Sequence, residues 1–144
     1  AQIRGFRQAN RNANDGISVV AITDGAISSI TDVLSRLAEL AQQSANGVYS
    51  NAQRSALQLE FTALTSEVER IAITTEFNGL RLLSGGGNVT FQVGFDGSSL
   101  SQITYSGIQA TLASLGLAGA ASSAHAYSII GNTDIESQSA ARLA

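Results

Sequence analysis

The one histidine of this 144-residue chain, His125, lies in the segment AASSAHAYS, with Ser122, Ser123 and Ser128 close by and Asp134 nine residues further on. A serine nucleophile needs a base within hydrogen-bond reach and an acid that orients the base. The spacing does not establish those contacts, and in a serine-rich segment His125 reads as an ordinary surface or interface residue. Glu67 and Glu69 stand two apart, which on a helix points them in different directions and makes a solvated face, not a chelating pair. The glycine run of LSGGGNV, Gly85 to Gly87, lacks the Gly-Lys-Ser/Thr of a phosphate-binding loop and reads as a turn leading into a strand. Asn88-Val89-Thr90 matches a glycosylation triplet, a pattern too short to carry weight. With no cysteine, disulfides, thiolate metal sites and thiol nucleophiles are all excluded. The sequence therefore assigns no catalytic residue, no cofactor and no metal.

Composition narrows the classes further. The chain is 44% hydrophobic and 13% charged, enough for one folded domain and too apolar for intrinsic disorder. Eleven acidic residues oppose eight basic ones, all arginine, giving a net charge of -3 that argues against nucleic acid as a partner. The small-apolar stretch Leu112 to Ala121 is broken by Ser114, Gly116 and Gly119 and falls below the ~20 residues of a membrane span, so no membrane partner is expected. The chain has no methionine and opens directly in helical pattern, and Ser137 to Ala144 reads as the first turns of a helix stopped in mid-pattern. Both ends are expected to be cut.

What remains is extended helical surface. From Gln2 to about Ala45 apolar residues recur every seven positions at Phe6, Ala13, Val20, Ile27, Leu34 and Ala41, a coiled-coil seam. Ile3 and Ile17 flank it early, Ile30 and Leu37 flank it on the other side later, and Val19, Ala26, Val33 and Leu40 make a second row. Two apolar rows predict contact with more than one neighbouring helix. Asn46-Gly47 is expected to close the helix in left-handed conformation. Ser50, three residues before Gln53, has the capping-box spacing that starts a second helix. In that helix Leu57, Phe61, Leu64, Val68 and Ile71 form a seam spaced 4, 3, 4 and 3, and Asn78-Gly79 ends the pattern, giving a helix from about Asn51 to Glu76 packed antiparallel on the first.

Beyond the glycine run, Val89, Phe91 and Val93 alternate as in a strand, Ile103 and Tyr105 do likewise, and Asp96-Gly97 with Ser98 and Ser99 makes a turn. Asn88 to Ser106 is therefore predicted as a β-hairpin. Gly107 to Gly131 is rich in alanine, glycine and serine, with only weak helical pattern. The expected fold is mainly α: a long antiparallel helical hairpin forming a coiled-coil rod, a β-hairpin cap, and the start of a third helix. It is one domain made of rod helices (1–84), a β-hairpin region (85–106), and a connecting segment with the start of the C-terminal helix (107–144).

The segment NANDGISVVAITDGAISSITDVLSRLAELAQQSANG, 12–47, resembles the first long helix of the bacterial flagellin rod domain. The resemblance continues in order through NAQRSALQLEFTALTSEVERIAITTEFNGLRLLSG, 51–85, and FQVGFDG, 91–97, covering roughly the first two-thirds of the chain. It implies a structural, non-enzymatic subunit that passes through the flagellar export apparatus and polymerises with copies of itself into the extracellular filament. An export chaperone and a filament cap would be its partners in full length. The terminal segments that form the family's inner tube are absent from this sequence, so it is not expected to polymerise normally by itself, and its outer domains are minimal. The resemblance further implies recognition by vertebrate flagellin-sensing Toll-like receptors around LSRLAELAQQ, 34–43, with Arg36, Leu40, Gln43 and Glu60 as contacts. Ala38 stands where many flagellins have a second arginine.

Two alternatives accompany this reading: a hook-filament junction protein, which shares the rod pattern, and a flagellin-like surface adhesin. NANDGIS and TTEFNG favour flagellin over the first. The absence of tryptophan, with only Tyr49, Tyr105 and Tyr127 available as sugar platforms, weakens the second.

Overall fold

A computed structural model describes residues 2–85, 87–94 and 98–117. Two helices dominate it: α1, Gln2–Ala45, and α2, Asn51–Thr74. Four short strands follow: β1, Glu76–Phe77; β2, Leu80–Arg81; β3, Val89–Gln92; and β4, Gln102–Tyr105, the last preceded by a 3-10 turn at Ser99–Ser101. The strands make two separate antiparallel pairs, β1 with β2 and β3 with β4. The mainly helical architecture expected from the sequence is thus observed. Residues 118–144, which hold His125 and the expected third helix, lie outside the described residues.

The two helices are held by one apolar cluster in which Val19, Ile30, Leu37, Leu40 and Ala41 of α1 meet Phe61, Val68 and Ala72 of α2. Leu82, Leu83, Ala110 and Leu112 extend the cluster beyond the end of α2. The buried threonine hydroxyls of the helices do not break it, because they return hydrogen bonds to their own helix: Thr23 Oγ1 donates to the Val19 carbonyl at 2.8 Å and Thr65 Oγ1 to the Phe61 carbonyl at 3.1 Å.

The buried line differs from the heptad seam counted along α1. Phe6 and Val20 are 59% and 57% exposed, Ile27 and Leu34 are half-buried, and Ala41 is 1% exposed, so the row sinks into the core as it runs toward the C-terminus. The core follows the second row and its neighbours, Val19, Ile30, Leu37 and Leu40. Two physical causes combine. A strict seven-residue row drifts ~20° per heptad around a straight helix. In addition, α2 at 24 residues is ~36 Å long against ~66 Å for the 44 residues of α1, so it covers only the C-terminal part of α1. On α2, Phe61 and Val68 are buried, while Leu57, Leu64 and Ile71 are half-buried at the edge of the same cluster.

The helix ends follow local chemistry. Ser50 caps α2 as a capping box, its backbone N–H donating to Gln53 Oε1 at 2.9 Å while its hydroxyl accepts from Gln53 N. Neither Asn46 nor Gly47 is left-handed, contrary to expectation. α1 instead unwinds through a turn in which Asn46 N donates to the Gln43 carbonyl and Asn46 Oδ1 accepts from Val48 N. α2 stops at Thr74, two residues before the expected end: Thr75 closes the last turn with its N–H on the Ile71 carbonyl, and its own backbone is already extended (φ -73°, ψ 104°). Glu76-Phe77 then pairs with Leu80-Arg81 across Asn78 (φ 50°) and Gly79 (φ 77°), a two-residue hairpin. The Asn-Gly pair is therefore a strand turn and not a helix stop.

In the β3–β4 hairpin Val89 faces Tyr105 and Phe91 faces Ile103 on one side, with Thr90/Thr104 and Gln92/Gln102 on the other. At its loop end Val93 N and Gly94 N both donate to the Ser101 carbonyl, at 2.8 and 3.0 Å, as in a bulge. A Cβ at Gly94 would run into the Ser101 side chain and lie 3.2 Å from its Cα. Gly94→Ala should therefore loosen the hairpin, costing about 1–3 kcal/mol by overpacking. The check is faster amide exchange confined to β3 and β4, with the α1–α2 helices unchanged.

Candidate functional site

Among the described residues, no helix lies against the N-terminal half of α1. Ile3 (71%), Phe6 (59%), Ile17 (67%) and Val20 (57%) are exposed, and together they form one stripe at 3-, 11- and 3-residue intervals along the helix. Within Ile3–Ala45 an 18-residue stretch is apolar enough by length and composition to cross a membrane, yet only 17% of it is buried in this chain. An amphipathic helix awaiting a protein partner has the same composition. Exposed apolar rows of this extent mark interaction surfaces.

The β3–β4 hairpin flanks this stripe. Phe91 lies over Gly16, whose missing side chain would contact its ring at 3.6 Å, and Asn12 Nδ2 donates to the Gln92 carbonyl at 2.7 Å, fixing the hairpin to the helix. Between them runs a groove of about 480 Å³ bordered by Ala13, Gly16, Ile17, Val20, Phe91 and Ile103, with Asp24 at one end. The hairpin and the segment that follows it are also anchored: Tyr105 Oη donates to the Leu82 carbonyl at 3.1 Å, Ala110 N to the Leu83 carbonyl at 2.8 Å, and Leu112 N to Glu69 Oε2 at 2.8 Å. The groove walls are almost entirely hydrocarbon, suited to a packed side-chain row and not to proton or group transfer.

A second surface lies on the α1–α2 face. Arg36 bridges the helices, its Nε 2.9 Å from Glu60 Oε1, and also reaches Glu39 Oε2 at 3.0 Å. The hydrogen bond to Glu60, then that to Glu39, holds the guanidinium pKa above its ordinary value. Gln43 is half-buried and donates to Tyr49 Oη at 3.0 Å, and Arg54 is buried with its Nε on the Tyr49 carbonyl. Of the four residues expected as receptor contacts, Arg36, Gln43 and Glu60 fall on one face. Leu40 does not join them at the surface: it is 0% exposed, because its row is the one that packs against α2.

On α2, Glu67 and Arg70 pair with each other at 2.7 Å, and Arg70 depresses the Glu67 pKa through that hydrogen bond. Glu69 is turned to the Leu112 amide, so the two carboxylates serve different partners. No group of three or more His, Asp or Glu side chains that could hold a metal occurs among the described residues. Sequence reasoning missed the groove's contribution from Phe91 and Ile103. The hairpin alternation was visible, but nothing in it said which helix the strand face meets.

Comparison with known proteins gives a consistent picture. Residues 1–88 match the family model described as the bacterial flagellin N-terminal helical region. Flagellin B of Vibrio anguillarum is 42% identical over 117 residues, covering 81% of this chain and 31% of that protein. Flagellin of Salmonella muenchen is 45% identical over 94 residues, covering 65% of this chain and 19% of that protein. Among solved structures, FliC from Burkholderia pseudomallei superposes with a TM-score of 0.61 at 34% identity over 68% of this chain and 38% of that one. Bacillus cereus flagellin superposes with a TM-score of 0.66 at 29% identity over 74% of this chain and 62% of that one. The chain thus spans about a third or less of the length of these curated relatives.

Proposed function

The chain belongs to the bacterial flagellin family, and on that premise we propose that it acts as a structural subunit of the extracellular flagellar filament, by helix packing and without catalysis. The observation that carries this reading is the exposed apolar stripe of α1 beside a hydrocarbon groove, a surface that gains stability only when another helix covers it. Segments 1–84, 85–106 and 107–144 act as parts of one rod domain. Other flagellin subunits are its partners in the filament, and an export chaperone and a filament cap are its partners before and during assembly. Electron microscopy of the intact subunit after depolymerisation and re-seeding tests the proposal. Filaments are the expected result. An intact subunit that never polymerises would instead favour the hook-filament junction reading.

A surface adhesin is less well supported by the geometry. Tyr49 and Tyr105 both spend their hydroxyls on internal hydrogen bonds and are half-buried, so neither is presented as a sugar platform.

The Arg36, Gln43 and Glu60 face is the part of the molecule suited to a flagellin-sensing Toll-like receptor. A rigid helix pair there presents a guanidinium and a carboxylate at fixed separation, with Leu40 supporting them from beneath. Arg36→Ala in the intact subunit should reduce receptor-dependent signalling about tenfold, the effect of losing a moderate hot spot. Unchanged signalling by Arg36→Ala and Glu60→Ala alike would remove this face from consideration.

A further inference from the structure

Two Asn-Gly pairs are exposed at turns of opposite rigidity. Asn46-Gly47 lies in the connection between α1 and α2, and Asn78-Gly79 forms the tip of the β1–β2 hairpin. In such a pair the glycine backbone nitrogen can attack the asparagine side-chain amide carbon. The new N–C bond closes a five-membered succinimide, the bond to the amide nitrogen breaks, and ammonia leaves. Water then opens the ring to aspartate, or to isoaspartate in which the backbone runs through the side-chain carbon. No oxidant or enzyme is required, and glycine hinders the attack least because it has no Cβ. What decides the rate is whether the backbone can rotate to bring nitrogen and carbon together, and whether the oxyanion formed on the way is stabilised.

Asn78 is locked. Its left-handed conformation is held between two paired strands, Leu82 N donates to the Thr75 carbonyl at 3.0 Å, and the two residues that follow β2, Leu82 and Leu83, are both 0% exposed. Rotating Asn78 means drawing those leucines from the core. Asn46 is held far less firmly, by Asn46 N to the Gln43 carbonyl at 3.2 Å and Tyr49 N to the Asn46 carbonyl at 3.3 Å, both at the weak end of the hydrogen-bond range. Its neighbour Val48 is 80% exposed, and the space a Gly47 side chain would fill is open. Val48 N–H also donates to Asn46 Oδ1 at 3.3 Å, which places a backbone donor where negative charge develops during the attack.

We infer that Asn46-Gly47 is a site of spontaneous deamidation in the folded protein, whereas the fold protects Asn78-Gly79. Conversion puts a carboxylate just past the C-terminus of α1, where the helix dipole disfavours negative charge. The isoaspartate product also lengthens the backbone of the turn that joins the two helices. The modification thus loosens the helical hairpin as the protein ages, and it depends on local geometry alone, whatever the chain's role in assembly.

The test is incubation of the folded chain at mildly alkaline pH, followed by digestion and mass spectrometry of the peptides containing each pair. The expected result is conversion of Asn46 roughly tenfold or more faster than Asn78, as their difference in local opening requires, with the two rates converging in concentrated urea. Gly47→Ala should slow conversion at Asn46 and leave Asn78 unchanged. Equal rates in the folded chain, faster conversion at Asn78, or an Asn46 that stays intact when folded but converts in urea would each overturn the inference.

Discussion

Phe61→Ala lowers the unfolding free energy by about 3–5 kcal/mol, measured by urea denaturation of the purified chain. Phe61 is 1% exposed and heads the fully buried side chains by volume, in the cluster that joins α2 to α1. Truncation removes its transfer free energy and leaves a cavity that two long helices cannot close without shifting their axes. Because small domains have only about 5–15 kcal/mol of total stability, the loss consumes a large share of it. Leu59→Ala, two residues away on the same helix, is the control. Leu59 is 75% exposed, and its truncation should change stability by no more than about 0.5 kcal/mol. Comparable losses from the two variants would show that the packing described for α1 and α2 does not hold the fold.

The second large effect is on assembly and not on folding. Ile17→Asp combined with Val20→Asp should leave the helical circular dichroism of the intact subunit unchanged, since both side chains are more than half exposed in the folded chain. In a filament both would be covered. Burying each is worth about 1.5–3 kcal/mol, so losing the pair costs roughly 3–6 kcal/mol, before any penalty for burying charge. That corresponds to a rise of more than about a hundredfold in the concentration needed for polymerisation. Sedimentation and electron microscopy after seeding would read this as absence of filaments at concentrations where the parent polymerises. Normal filaments from the double variant would remove the stripe from the assembly surface and with it the observation that carries the proposed function.

Much of the fold was legible in the residues because it rests on local rules. The capping box at Ser50 and Gln53, the 4-3 spacing from Leu57 to Ile71, and the alternation of Val89, Phe91 and Val93 each reflect a backbone periodicity that sequence displays directly. Where a local signal had two meanings, the reading went astray. Asn78-Gly79 suits a helix stop and a tight hairpin equally, and the extended backbone of Thr75 settles the matter by ending the helix before the pair is reached. Asn46-Gly47 has the residues of a left-handed cap, but the chain turns through hydrogen bonds to Gln43 and Val48 instead.

By itself, then, the sequence determined the two long helices and the β3–β4 hairpin, the absence of cysteine chemistry, and the family of rods to which this chain belongs, all of which follow from residue type and spacing. Only the tertiary structure decided which face of α1 is core. The heptad count marks Phe6 and Val20 as strongly as Leu34, yet the first two stand in the open and Leu40 is sealed inside. The reason is length and direction: a short helix folding back on a long one can bury only the part it reaches, and periodicity along one helix carries no record of where its neighbour ends.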